Sequence, residues 1–403
     1  MNLLINKAAD ASGKPVALED LILTTSLATT GGSMMLDGYM SLFDAEVVGK
    51  LADAGFSVIG KANVGEFGFD LLGETSRFGA CEDEAGNLAT ATSALLASGA
   101  AQAVVGLDVN GAQRRAAALS HHVCVKPTYG TVSRFGTIAV ACSGETVCVS
   151  ANTAEAAREV LVAIAGHDEK DGTSLPEGLC AAAGVAAEPK RRKIALAAGF
   201  VSASDEGVRA AVEAAVSAFK ADGFEVEEID DALLQAARPA WNVLMSAELC
   251  NNVSRFDGVK YGHRASDYDT IDDLYTNSRT EAFGDVLKTA ILYGSEMLSE
   301  ENYEKMYDKS LRVRRVIVEE FVRLFDSYDA ALLPACGKSA YAPADVAADK
   351  HLCFKENAAT APASITGLPA VVAGGVQLVG PAFSEGTLLT FAEKLQTASE
   401  EVR

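Results

Sequence analysis

The chain has 403 residues, 34 Lys and Arg against 55 Asp and Glu, a formal net charge of -21, and a composition that is 49% hydrophobic and 7% aromatic. That length supports a sizeable buried core, whereas the acidic balance excludes a direct grip on a nucleic-acid backbone, which draws on clustered Lys and Arg. No apolar run reaches the length of a membrane span, no apolar leader opens the chain, and the eight cysteines stand singly without metal-site or disulfide-framework spacing, so the expectation is a cytoplasmic protein with no membrane contact, metal or cofactor.

Apolar periodicity sets out an alternating order of elements. An extended run at Pro15 to Leu18 precedes an amphipathic helix near Asp44 to Ala54 and a strand at Ser57 to Gly60. Helical periodicity runs from Thr92 to Ala103, and an apolar strand at Val104 to Leu107 then delivers a polar loop beginning at Asp108. Residues 1–166 make up this first half, and the Gly-, Pro- and Asp-containing stretch 167–192 reads as a connection. Residues 193–330 are mainly helical, with a strand at Lys193 to Leu196 and helices near Asp205 to Ala221, Ala232 to Cys250 and Ser299 to Phe325. Residues 331–403 return to strands, around Ala330 to Leu333 and Val371 to Leu378. The alternation predicts an α/β fold, a mixed β-sheet core covered by helices.

The loop after the Val104 to Leu107 strand reads Asp108-Val109-Asn110-Gly111-Ala112-Gln113-Arg114, and Lys126-Pro127-Thr128-Tyr129-Gly130 follows it. This pair of segments resembles the nucleophile region of the amidase-signature family, whose members cleave amides with a serine on a D-x-G-G-S-x-R turn, and the resemblance implies one contiguous domain over 1–403 with helices on both faces of the sheet. Such a turn is glycine-rich because its backbone bends sharply and aims N–H groups at the oxyanion. On that resemblance Ala112 stands where the serine belongs, Gly111 is retained, and Asn110 replaces the other glycine.

The family's machinery also includes a lysine base and a second serine. The lysine motif, G-x-P-x-A-V-K-D, is matched by Gly13-Lys14-Pro15-Val16-Ala17-Leu18-Glu19-Asp20, which puts Glu19 at the base. The second serine lies in G-G-S-S-G-G, matched by Gly86-Asn87-Leu88-Ala89-Thr90-Ala91, which puts Leu88 on it. The resemblance therefore implies a degenerate triad of Glu19, Leu88 and Ala112 and no catalysis by the family's mechanism, because none of the three side chains can serve as nucleophile, relay or base there.

Further stretches are similar to the A-subunit branch of the glutamyl-tRNA(Gln)/aspartyl-tRNA(Asn) amidotransferases: 58–67, 129–136, 163–168, 255–262, 281–284 and 367–370, with 255–284 the branch-specific part. Set against that branch, the chain lacks an amino-terminal helical extension and skips a hairpin near Ala370 to Gln377. The resemblance places Arg314 on the substrate-binding arginine, with Glu296 and Asn357 in place of a tyrosine and an aspartate. Candidate ligand contacts are thus Asp108, Gly111, Arg114, Glu296, Arg314 and Asn357, and the implied partners resemble the branch's B and C subunits.

Each of these readings has a plainer counterpart. Glu19 is a new base or metal ligand, or else a solvated or salt-bridged residue. Thr90, Thr92 and Ser93 offer substitute nucleophiles, or else cap a helix. Asp108 and Arg114 orient a ligand or simply hold the loop. Arg312, Arg314 and Arg315 bind an anion or cover a helix face. On a strand only His122 and Cys124, not His121, would share a face, and two ligands do not make a metal site. Three functions remain open: a non-catalytic binding or assembly component, an amide hydrolase of altered mechanism, and a sensor of a small amide or carboxylate.

Overall fold

The structure is a computed structural model that describes residues 2–9 and 12–401. Its strands are β1 (Leu4–Lys7), β2 (Lys14–Glu19), β3 (Phe56–Ala62), β4 (Cys81–Glu82), β5 (Leu88–Ala89), β6 (Ala103–Asp108), β7 (Val123–Lys126), β8 (Thr146–Ala151), β9 (Lys193–Ala197), β10 (Glu225–Ile229), β11 (Ala330–Pro334), β12 (Ala370–Ala373) and β13 (Val376–Val379). Eleven of them form one sheet in the order β1-β3-β2-β6-β8-β7-β12-β13-β11-β9-β10, and β4 and β5 pair separately. Pairing is mixed: β3, β2 and β6 run parallel, as do β11, β9 and β10, while the strands between are antiparallel.

The central strands β6, β7, β8, β11, β12 and β13 are buried at every residue. Continuous apolar runs of this kind need cover on both faces, and helices supply it. Helix α1 is Glu46–Asp53, α2 is Ala91–Ala97, α3 is Ala112–Ser120 and α4 is Ala154–Ile164. Helix α3 packs on β6, β7 and β12, while α4 packs on β8 and against the last helix, Glu385–Glu401. No helix among the described residues is long and apolar enough to cross a membrane.

Several boundaries differ from the sequence expectation for local reasons. The helix expected over Thr92 to Ala103 ends at Ala97, because Gly99 takes a left-handed φ of 68° and turns the chain into β6. Where strands were expected around Val371 to Leu378 and the resemblance implied a skipped hairpin, the chain forms a tight hairpin of β12 and β13, turned by Gly374 and Gly375 at φ 58° and 82°. A two-residue turn with both φ positive matches the twist of the strands it joins, and Gly-Gly is a favoured choice for it. The helix expected over Ser299 to Phe325 opens as a π-helical turn at Tyr303–Asp308 before Lys309–Phe325. The helix expected over Ala232 to Cys250 divides into Ala232–Gln235 and Ala237–Val253.

Candidate active site

Because β2 and β6 lie side by side and parallel, the chain ends of both strands emerge at one edge of the sheet. Glu19 closes β2 and Asp108 closes β6. Gly106 makes room for the Glu19 side chain: a first side-chain carbon at 106 would lie 2.4 Å from Glu19 Oε2. Glu19 is 1% exposed. Its Oε2 accepts from the Leu107 backbone N–H at 2.9 Å, and its Oε1 accepts from Gln113 Nε2. Burial pushes its pKa up to about 8, with the charges of Asp108 and Asp70 adding to the rise and the Leu107 and Gln113 bonds opposing it. Glu19 is therefore neither solvated nor salt-bridged among the described residues, which corrects the plainer of its two sequence readings, and the protonated form is the one burial favours.

Ala112 is the first residue of α3, and Gly111 before it holds φ 80°. Any side chain at 111 would lie 2.3 Å from Thr360 Oγ1. Glu19 and Ala112 share a cavity of ≈ 20 Å³ with Asn63, Asp70, Thr90 and Gln113. That volume admits about one water. Thr90 lines this cavity while capping α2, its hydroxyl accepting from Ser93 N at 3.1 Å. Asp70 is fully enclosed, accepts from Gly73 N and from the Thr75 N–H and hydroxyl, and burial raises its carboxyl above the usual range.

Directly beside this cavity, Arg114 grips Asp108 with two bonds of 2.9 Å, and both side chains are fully buried. Arg114 also donates to Thr360 O, Gln377 Oε1 and Ser364 Oγ at 2.9, 2.7 and 2.6 Å. Burial works to raise the Asp108 carboxyl, but the charge and bonds of Arg114 outweigh it and hold the group below its usual range. The guanidinium's donors are spent inside the protein.

The other candidate residues lie apart from the Ala112 cavity lining. Leu88 is buried in β5, where its N–H bonds Tyr341 O. Glu296 sits exposed on the helix Asp285–Met297 and accepts from Asn302 Nδ2 at 2.7 Å. Arg314 donates to the hydroxyl and carbonyl of Ser143, whereas Arg312 and Arg315 pair along their own helix with Asp308 and Glu319. Asn357 is fully buried and donates to Asn110 Oδ1 and Asn242 Oδ1, both at 2.7 Å. His122 and Cys124 are buried, and no cluster of three potential ligands exists among the described residues. Sequence reasoning missed Gln113, Asp70 and Asn242. Only Gln113 carried a signal, its place beside Ala112 in the loop.

The amidase family model matches residues 6–389. The chain belongs to the amidase family. Among relatives of this chain, the A subunit of the glutamyl-tRNA(Gln) amidotransferase of Latilactobacillus sakei is 35% identical, with 96% of this chain and 83% of the relative aligned. The corresponding A subunit of Halorhodospira halophila is also 35% identical, over 99% of this chain and 86% of its own length. The crystal structure of the Thermotoga maritima A subunit superposes with a TM-score of 0.79 at 26% identity, covering 99% of this chain and 87% of that one. The amidase fold and the A-subunit likeness expected from the sequence are thus established.

Proposed function

We propose that this chain is a non-catalytic member of the amidase family that serves as a binding or assembly component, with partners resembling the B and C subunits of the amidotransferases. The observation that carries the reading is the content of the Ala112 cavity. A methyl group stands at the nucleophile position and a carboxyl at the base position, within a space of ≈ 20 Å³. Without a hydroxyl at 112 no ester intermediate can form there. A carboxyl that burial keeps protonated below about pH 8 is a poor proton acceptor at neutral pH, and a space of ≈ 20 Å³ admits about one water, far less than an ordinary ligand pocket. Its relatives are named as subunits of amidotransferases, which supports a protein partner rather than solitary action.

The test is ammonia release by the purified chain from glutamine and from a panel of simple amides. The expected result is none above the uncatalysed rate, since loss of one member of such a triad already costs roughly a million-fold. Turnover abolished by Glu19→Gln would replace this reading with the altered hydrolase, for which the placement of Glu19 and Thr90 on one cavity is the supporting observation.

A further inference from the structure

The helix Ile271–Ala282 has Asp272 and Asp273 in its first turn and Arg279 in its last, where Glu281 is taken up by His263. Ile271, Tyr275 and Arg279 are spaced by four and so stack along one face. At the start, Ile271 is 56% exposed and Tyr275 37%, and Asp267, Asp269 and Asp272, close to them in sequence, are exposed as well. Arg264 is the cation there, stacked over Tyr268 at 5.6 Å. Toward the other end lies an open groove of ≈ 240 Å³ lined by Arg279, Thr280, Phe283, Lys288, Ile291 and Leu292. Leu292 is 71% exposed, in a helix whose other face is buried.

Among the described residues, the hydrogen bonds of both groove cations go to backbone carbonyls rather than to carboxylates. Arg279 donates to the carbonyls of Val253 and Phe256, and Lys288 to the carbonyl of Thr280. Carboxylates act on the two cations only through space, Asp285 and Glu66 on Lys288 and Asp257 on Arg279.

We propose that the chain self-associates through this face, as a two-fold symmetric dimer in which the helices Ile271–Ala282 of two copies lie antiparallel. A two-fold axis makes every contact reciprocal. Reversing the second helix sets the acidic, apolar start of each copy against the basic, apolar groove of the other, so Ile271 and Tyr275 cover Leu292 while Asp269 and Asp272 meet Arg279 and Lys288. A second copy is the occupant that the surface itself describes, because the ridge complementary to the groove in charge and polarity is part of the same chain. Antiparallel helix dipoles add to the same preference.

Sedimentation equilibrium over a wide concentration range tests this. The wild-type mass is expected to climb from 41.9 kDa toward twice that value, with weaker association at high salt because the contacts are partly ionic. Leu292→Asp and Lys288→Glu are each expected to weaken association at least about tenfold, as loss of a central apolar or charged contact does. Asp272→Lys weakens it similarly, and combining Asp272→Lys with Lys288→Glu restores it. Leu292 is exposed, so circular dichroism of Leu292→Asp should match wild type and rule out unfolding as the cause. A wild type that stays monomeric throughout, or variants that dimerise undiminished, overturns the proposal. The reading of the Ala112 cavity stands or falls separately, on ammonia release, which neither outcome affects.

Discussion

The loop Asp108–Arg114 holds two neighbouring regions that contrast sharply. On one side, Asp108 and Arg114 form a buried ion pair whose remaining donors reach Thr360, Ser364 and Gln377, and every residue type fits its task. On the other, Glu19 and Ala112 line a cavity with room for about one water. The packing and hydrogen bonds around the ion pair are complete, while a methyl and a buried carboxyl line the cavity beside it. Folding and chemistry thus make separate demands on one loop. The ion pair answers to the fold, because an unpaired charge there would cost several kcal/mol; the side chain of Ala112 makes no hydrogen bond at all, and Glu19 is held by only two.

The largest effect should come from breaking the scaffold side. Arg114→Ala leaves Asp108 buried without its cation and strips donors from Thr360 O, Gln377 and Ser364, so urea denaturation should show a loss of about 3–5 kcal/mol. A loss below about 1 kcal/mol would mean the pair is not what holds the loop.

An intermediate effect lies on the cavity side and depends on pH. The Glu19 carboxyl has its pKa raised to about 8 in the folded chain, against an ordinary value near 4.3 once unfolded. Between those values the unfolded state has released the proton and the folded state still binds it, so stability falls as pH rises. The contribution is complete below the ordinary carboxyl pKa and lost as pH climbs through about 8. Glu19→Gln should remove this slope, leaving the variant more stable than wild type at about pH 8 by on the order of a few kcal/mol. Equal slopes for both proteins between about pH 4.5 and 8 would show that Glu19 ionises at its ordinary pKa despite its burial.

The smallest effect sharpens the contrast. Ala112→Ser adds one hydroxyl at the mouth of α3, where stability should change by less than about 1 kcal/mol. Ammonia release should remain absent, because no neighbouring base takes the proton. Amide turnover by this single variant would show that the cavity kept a competent base after all.

Much of the architecture was legible in the sequence because short-range physics writes it there. The runs at β2, β3 and β6 are apolar over the length of a strand, and Asp205 caps the helix Glu206–Ala221 as its side chain allows. Two of the boundaries that went astray have glycine in common. Gly99 and the pair Gly374–Gly375 take positive φ, and a periodicity count across them sees only uninterrupted small or apolar residues. The candidate site divides in the same way. Ala112 and Glu19 were found by their place in a motif, whereas Asp70 and Asn242 lie in no such pattern and enter only through contact. Glu296, Arg314 and Asn357 formed a set in the sequence, yet each has separate local partners: Asn302, Ser143 and the asparagines at 110 and 242.

The sequence alone settled covalent identity: there is a methyl at 112 and a carboxyl at 19, and no arrangement of the chain can supply the oxygen or the amine those side chains lack. It also settled the alternation of apolar segments that commits the chain to a covered sheet. What the tertiary structure decided is environment. Whether Glu19 carries a proton, whether Arg114 has a donor to spare, and how much space remains beside Ala112 all depend on groups such as Asp70, Thr360 and Gln377. Those groups come from distant parts of the chain, and burial and charge act through space rather than along the backbone.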